Sequence, residues 1–387
     1  MRQRKLWAAV LCAALTVCSA SPAALAEEEP SGGLELKSKS AVLMEQTTGE
    51  ILYEMEPDLP MHPASITKVM TLLLTFEAME QGKFSLDTVI SCSEHACSMG
   101  GSQIWLEPGE EMTVHDLLKA TAISSANDAA VALAEAVAGS EEGFVELMNR
   151  RARELGMDGT TFQNATGLDA EGHLSTARDI AVMSAELLRH PQITEYSTVW
   201  MDSLRDGATQ LVNTNKLVRF YDGATGLKTG TTDGAGSCLS ASATRNGLSL
   251  VAVTLGSATS DERFYTARKL LDYGFANYTM AQPPSPEGQL EPVRVLRGVS
   301  PSVALEYDTP SAFVVKKGEE GNLTQEITLA QDVEAPVEKG QSLGKVTIAL
   351  GGRQLGEYRV KAKEAVDRMT FAAGLGKMFC AALAVGS

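Results

Sequence analysis

Residues 226–257 read GLKTGTTDGAGSCLSASATRNGLSLVAVTLGS. Three β-rich runs, GLKTGTT, SCLSASATR and LSLVAVTLGS, stand between Gly, Asp and Asn turn signals, which predicts consecutive strands. Upstream, AVLMEQTTGEILYEME (41–56) holds two more β-rich runs around TTGE, a hairpin signal. The intervening chain is mainly helical. SITKVMTLLLTFEAMEQG (65–82), TVHDLLKATAISS (113–125), NDAAVALAEAVAGS (127–140), EEGFVELMNRRARELGM (141–157) and TARDIAVMSAELLRH (176–190) repeat apolar residues at three and four. DERFYTARKLLDYGFANY (261–278) returns to helix. Strands, many helices, then strands and a helix imply one antiparallel sheet fed from both ends of a domain and covered by helices, an α+β plan rather than repeated βαβ units.

The Pro-rich stretch QPPSPEGQ (282–289) marks a linker. Beyond it VRVLRGV, SVALEYD, SAFVVKK, LTQEITLA, GKVTIALGG and LGEYRVKA are short β-like runs at regular spacing, so a small all-β domain is expected over 282–363. From Glu364 the chain turns apolar, AVDRMTFAAGLGKMFCAALAVGS, with Arg368 and Lys377 along one possible helix. Two cations and three glycines make a poor membrane span, so 364–387 reads as an amphipathic helix lying on a membrane surface. A final helix packed on the β domain is the alternative.

The chain begins MRQRK, continues LWAAVLCAALTVCSA and reaches SPAALA, which reads as a secretory signal cleaved after Ala26. The first domain then spans 27–281. The formal charge of the 387 residues is -16, so a nucleic-acid partner, which needs clustered Lys and Arg, is not expected. Outside the signal the chain holds Cys92, Cys97, Cys238 and Cys380, too few for a disulfide scaffold. Cys92, His95 and Cys97 fall one ligand short of a structural zinc site, which leaves a loop disulfide or free thiols.

Three short motifs carry chemistry: SITK at Ser65–Lys68, SAN at Ser125–Asn127 and KTG at Lys228–Gly230. A Ser-x-x-Lys pattern arises by chance, and it recurs at Ser342–Lys345. That copy leads into VTIAL, an extended run whose positions three apart face opposite ways. Ser65, in contrast, follows His62-Pro63-Ala64 and opens a helix, where residues i and i+3 share a face and the Lys68 amine reaches the Ser65 hydroxyl. A serine hydroxyl is a weak nucleophile until a base takes its proton, and a lysine serves as base only if burial or a second cation destabilises its ammonium. Lys228 is the candidate second cation. The helix start also supplies N–H groups beside a developing oxyanion.

SxxK, SxN and KTG in this order form the set found in penicillin-binding proteins and class A β-lactamases. With HPASITKVMT, TVHDLLKATAISSANDAAVALAE, GLKTGTTDGAGSCLSASATRNG and RKLLDYGF, the chain resembles the low-molecular-mass penicillin-binding proteins of the D-alanyl-D-alanine carboxypeptidase family from the signal to the tail. The resemblance implies a transpeptidase-like domain, a β domain and an amphipathic C-terminal anchor. It implies Ser65 as acylated nucleophile, Lys68 as its base, Ser125 as proton relay to the leaving amine, and Asn127 as the side chain positioning the substrate amide and Lys68. Lys228 and Thr229 would recognise the terminal carboxylate, the Gly230–Thr231 edge would pair with the substrate backbone, and the Ser65 and Thr231 N–H groups would form the oxyanion hole. Arg263 resembles a further carboxylate contact, against the alternative of a surface helix arginine. Some relatives have histidine where this chain has Thr231.

The expected reaction is removal of the terminal D-alanine from a peptidoglycan stem peptide by acylation of Ser65 and hydrolysis, with β-lactams as covalent inhibitors. The enzyme is expected outside the cytoplasmic membrane. No GxSxG elbow, HExxH helix or phosphate loop competes, and no metal or organic cofactor is implied. Rival readings are a serine β-lactamase, a DD-endopeptidase and an inert wall-binding scaffold.

Overall fold

The computed structural model describes residues 33–286, 288–308 and 312–371. The signal at 1–26 and residues 372–387 of the tail lie outside the described residues. Strands β1 (Ser40–Glu45), β2 (Ile51–Met55), β3 (Ala224–Thr232), β4 (Gly236–Arg245) and β5 (Leu248–Ser257) form a five-stranded antiparallel sheet in the order β2-β1-β5-β4-β3. The first hairpin thus joins the late strands through β1 and β5, with Ser40 opposite Leu255 and Glu45 opposite Leu250.

Helix α1 (Lys68–Glu80) is followed by α2 (Val114–Ile123), α3 (Asn127–Ala138), α4 (Glu141–Glu154), α5 (Ala177–Leu187) and α6 (Ser260–Asn277), with shorter turns between them. Helix α6 packs on β4 and β5, and α5 packs on β5 and β1. Covered on both faces, the central strands are apolar almost without alternation: all six residues of β1 are buried. Helix α1 is buried nearly all round from Lys68 to Phe76, the pattern of a helix inside a core rather than on a surface. That placement governs the chemistry below, because a lysine at the first turn of a core helix has no water to solvate it.

Two details depart from the expected start of α1. Residues Ala64–Thr67 form a 3-10 turn ahead of the α-helix, and Ala64 has φ +50°. With three residues per turn, the 3-10 geometry brings positions i and i+3 over one another, so Ser65 and Lys68 still share a face.

The second region is all β. Leu305–Tyr307, Arg353–Ala362, Ser342–Leu350 and Leu323–Leu329 make an antiparallel sheet in that order, and Val293–Leu296 lies between Ser302–Val303 and Asp332–Glu334. Its β pairing begins ahead of the Pro-rich stretch, since Tyr278–Ala281 pairs with Phe313–Lys316. The second Ser-x-x-Lys copy lies on a strand as expected, although both Ser342 and Lys345 are exposed. An irregularity between Ser342 and Gly344 resets the alternation, and Lys345 Nζ bonds Glu357 Oε2 at 2.9 Å.

The expectation of a helix from Glu364 needs correcting. Residues 364–370 run as an extended edge on the β domain: Val366 and Val337 exchange backbone hydrogen bonds, and Val299 N donates to Asp367 O. Val366 joins the cluster of Val293, Val295 and Val337, so pairing with a neighbouring strand overrides the local apolar pattern. Among the described residues no helix is long and apolar enough to cross a membrane.

Candidate active site

The sheet, α1 and the α2–α3 junction converge on one cleft. Lys68 Nζ lies 3.0 Å from Ser65 Oγ and donates to Thr166 O at 2.8 Å. Lys68 is fully buried, and its amine is held well below the ordinary lysine range, first by desolvation and then by the Lys228 cation, with Asp128 opposing. A neutral lysine in hydrogen-bond contact with a serine hydroxyl is a competent proton acceptor.

Lys228 comes from β3 at the end of the sheet. It is 1% exposed, and its Nζ donates to Ser125 Oγ at 2.8 Å and to Thr229 O at 3.0 Å. Burial, reinforced by the Arg263 guanidinium, lowers its pKa to about 7. Ser125 sits at the tight junction between α2 and α3 with φ +66°, which aims its hydroxyl at Lys228. The two serines are thus each paired with one buried amine.

Asn127 opens α3. Its backbone N–H donates to Ser102 O at 2.7 Å and its Nδ2 to Gly100 O at 2.6 Å, while its buried Oδ1 has no partner among the described residues. It leaves one hydrogen-bond acceptor unused in the cleft. Thr229 Oγ1 donates to Thr214 Oγ1 at 2.6 Å. Arg263 is 7% exposed and not a surface arginine: its Nη1 donates to Gly230 O and to Thr231 Oγ1, both at 2.9 Å. A capping box between Thr259 and Glu262 sets the start of α6 and so the seat of Arg263. Lys228 and Arg263 put two buried basic groups beside the neutral Lys68, an arrangement suited to a substrate carboxylate.

Close approach fixes the cleft's two sides. A Cβ on Gly230 would stand 2.9 Å from Pro63 O and 3.0 Å from Ser65 N, so glycine alone lets the KTG strand lie against the Ser65 turn. Because β3 ends the sheet, its outer edge is open to an added strand.

Sequence reading missed the loop 164–169. Asn164 Oδ1 accepts from the N–H groups of Thr166 and Gly167 at 3.2 and 2.7 Å, shaping the turn that aims Thr166 O at Lys68. The Asn-x-x-Gly pattern of NATG was the available signal. Gly167, φ +86°, is compressed against Ala64, where a Cβ would fall 1.8 Å from the carbonyl oxygen. His173 was missed too. Its Nδ1 accepts from Gln163 N at 3.1 Å, which leaves Nε2 to donate to Thr67 Oγ1 at 2.9 Å. Burial lowers its pKa to about 4, so the ring stays neutral and anchors the SITK turn.

Cys92, Cys97 and Cys238 are free thiols, and His95 Nε2 pairs with Glu141 Oε2 at 2.7 Å. No group of three or more His, Cys, Asp or Glu among the described residues is arranged to hold a metal ion.

Residues 23–259 match the D-alanyl-D-alanine carboxypeptidase peptidase family, and residues 278–368 match the C-terminal domain of penicillin-binding protein 5. The chain is 43% identical over 357 residues to the D-alanyl-D-alanine carboxypeptidase DacF of Bacillus subtilis, covering 91% of this chain and 92% of that protein. The crystal structure of penicillin-binding protein 5 from Haemophilus influenzae superposes with a TM-score of 0.76 at 30% identity, covering 86% of this chain and 98% of that one. Penicillin-binding protein D2 from Listeria monocytogenes, in its ampicillin-bound form, superposes with a TM-score of 0.57 at 34% identity over 62% of this chain and 99% of that one.

Proposed function

The chain belongs to the D-alanyl-D-alanine carboxypeptidase family, and from that premise we propose that Ser65 carries the acyl group and that Lys68 is the base that activates it. The enzyme is a serine D-alanyl-D-alanine carboxypeptidase acting on peptidoglycan stem peptides. The observation that carries the residue assignment is the 3.0 Å contact between Ser65 Oγ and a fully buried Lys68 Nζ.

In the acylation step neutral Lys68 takes the Ser65 proton as Oγ bonds the carbonyl carbon of the penultimate D-alanine. The oxyanion is held between the Ser65 and Thr231 N–H groups. The C–N bond then breaks as the leaving amine takes a proton through Ser125, which Lys228 Nζ contacts at 2.8 Å. Free D-alanine departs, and water hydrolyses the ester on Ser65. Lys228, Thr229 and Arg263 hold the terminal carboxylate, and Asn127 Oδ1 accepts a substrate N–H. A penicillin that acylates Ser65 keeps its leaving amine tethered where D-alanine would depart, which supports a persistent adduct.

Two further readings concern location. The basic, apolar, small-residue order of 1–26 supports export with cleavage after Ala26, to the outer face of the cytoplasmic membrane. The apolar run after Thr370, with Lys377 in it, supports contact of the tail with a membrane surface.

The test is mass spectrometry after penicillin treatment, alongside D-alanine release from a D-alanyl-D-alanine peptide. Wild type should gain one adduct and release D-alanine, and Ser65→Ala should do neither. An adduct that persists in Ser65→Ala refutes the nucleophile.

A further inference from the structure

The chain that leaves strand Thr209–Val212 reads NTNK over 213–216, and its two asparagines shape it. Asn213 Oδ1 accepts from Asn215 N at 2.8 Å and Asn215 Oδ1 accepts from Leu217 N at 3.1 Å, so two side-chain turns follow one another. Both asparagines are buried, and Asn213 Nδ2 donates to Ser197 O at 3.1 Å and to Val199 O at 2.8 Å. Thr214 lies between them, half-buried, in a backbone fixed on either side. Its N–H donates at 3.2 Å to Ile123 O, at the end of α2 and two residues before Ser125.

The Thr214 side chain reaches the KTG strand. Thr229 Oγ1 donates to Thr214 Oγ1 at 2.6 Å, and neither side chain has another hydrogen-bond partner among the described residues. A hydroxyl has one proton to give and rotates to suit its neighbours. At rest the Thr229 proton is thus committed to Thr214, while the Thr214 proton has no acceptor among the described residues. That polarity is the wrong one for an anion. A carboxylate can only accept, so it must draw the proton of Thr229 away from Thr214.

Both hydroxyls can turn without moving a heavy atom. Once Thr229 gives its proton to a carboxylate its oxygen is free to accept, and the Thr214 hydroxyl stands 2.6 Å away with a proton to give. The series Thr214, Thr229, carboxylate then has every donor pointing the same way, and aligned hydrogen bonds that end on a charge strengthen one another. A terminal carboxamide gains nothing from the reversal, because its N–H group can donate to Thr229 in the resting orientation.

We propose that Thr214 is a positioning residue for the carboxypeptidase reaction: when substrate arrives, it reverses its hydrogen bond with Thr229 and so turns the Thr229 hydroxyl toward the terminal carboxylate. The inference rests on the carboxypeptidase reading above, which assigns Thr229 to that carboxylate. Thr214 acts through Thr229, and it sets the preference for a free C-terminal carboxylate over an amide.

The experiment compares Nα,Nε-diacetyl-lysyl-D-Ala-D-Ala with its C-terminal amide, following release of D-alanine or of D-alaninamide. Thr214→Val keeps the branched shape and loses the hydroxyl. In that variant kcat/KM should fall about tenfold for the acid and less than about twofold for the amide. The loss should fall on KM, since the carboxylate keeps its charge from ground state to transition state. Thr214→Ser restores the hydroxyl and should return the acid-to-amide ratio to within about twofold of wild type. A partly unfolded variant loses both activities alike, so the ratio separates positioning from mere support. An acid-to-amide ratio unchanged in Thr214→Val, a loss confined to kcat, or a Thr214→Ser protein that recovers nothing overturns the relay. A wild type that takes up no penicillin at Ser65 overturns the parent reading, and the relay with it.

Discussion

Replacing Lys228 with methionine should stabilise the folded enzyme at pH 6 while disabling it. A lysine whose ammonium titrates at about 7 instead of the ordinary 10.5 carries a penalty of about 5 kcal/mol for being charged in the folded state, taking about 1.4 kcal/mol per pH unit. Methionine fills a similar volume without that penalty. It forfeits the hydrogen bonds to Ser125 Oγ and Thr229 O, which offsets about 2–3 kcal/mol. The net gain is about 2 kcal/mol at pH 6, or about 4 °C in melting temperature. The sign depends on pH. Because the folded pKa is depressed, the folded state binds fewer protons than the unfolded state between about 7 and 10.5, so wild-type stability from this group rises with pH across that window. The methionine variant has no such dependence, and its advantage should be gone by about pH 9.5. Scanning calorimetry at the two pH values reads this directly, with penicillin acylation falling by about a hundredfold or more as the functional counterpart. Equal melting temperatures at pH 6, or a gap that does not change with pH, would refute a buried ammonium under desolvation strain.

Gly167→Ala should unfold the clamp behind Lys68. Its Cβ would sit 1.8 Å from Ala64 O at φ +86°, so the loop must withdraw, at a cost of more than about 2 kcal/mol, and Thr166 O leaves Lys68. Thermal unfolding and acylation rate should both fall; an unchanged acylation rate would show that the Thr166 contact is dispensable. The pH profile of kcat/KM should be bell-shaped. Its acid limb follows loss of the Lys68 proton, well below the usual lysine range, and its alkaline limb lies near 7 as Lys228 loses its charge. Lys228→Arg should flatten the alkaline limb, because a guanidinium keeps its charge.

Much of this site was legible in advance because its key side chains begin or end strongly patterned elements. The all-round apolar run KVMTLLLTF announces a core helix, and a core helix buries its first lysine. KTG reads as strand because three β-rich runs follow one another at Gly and Asn turns, and it lies at the sheet end where a peptide can add. Arg263 was not decidable: helix periodicity cannot distinguish a surface arginine from one turned inward, and only the seat of α6 against β4 shows Gly230 O as its partner. Thr166 contributes a backbone carbonyl, which leaves no residue-type signal at all. The segment 364–370 deceived because apolar composition suits a helix or a β edge alike, and the pairing of Val366 with Val337, far away in sequence, decides it.

The measurement closest to the centre of the account is the protonation of one amine. With lysine side chains labelled at Nζ with 15N, the resonance missing from Lys68→Arg should report a neutral amine at pH 7.5 in the unliganded enzyme. It should become charged only on acidification, or when Lys228 is replaced by a neutral residue and the pH is lowered less far. A Lys68 signal that remains that of an ammonium up to pH 9 would contradict the proposal that this lysine takes the proton of Ser65.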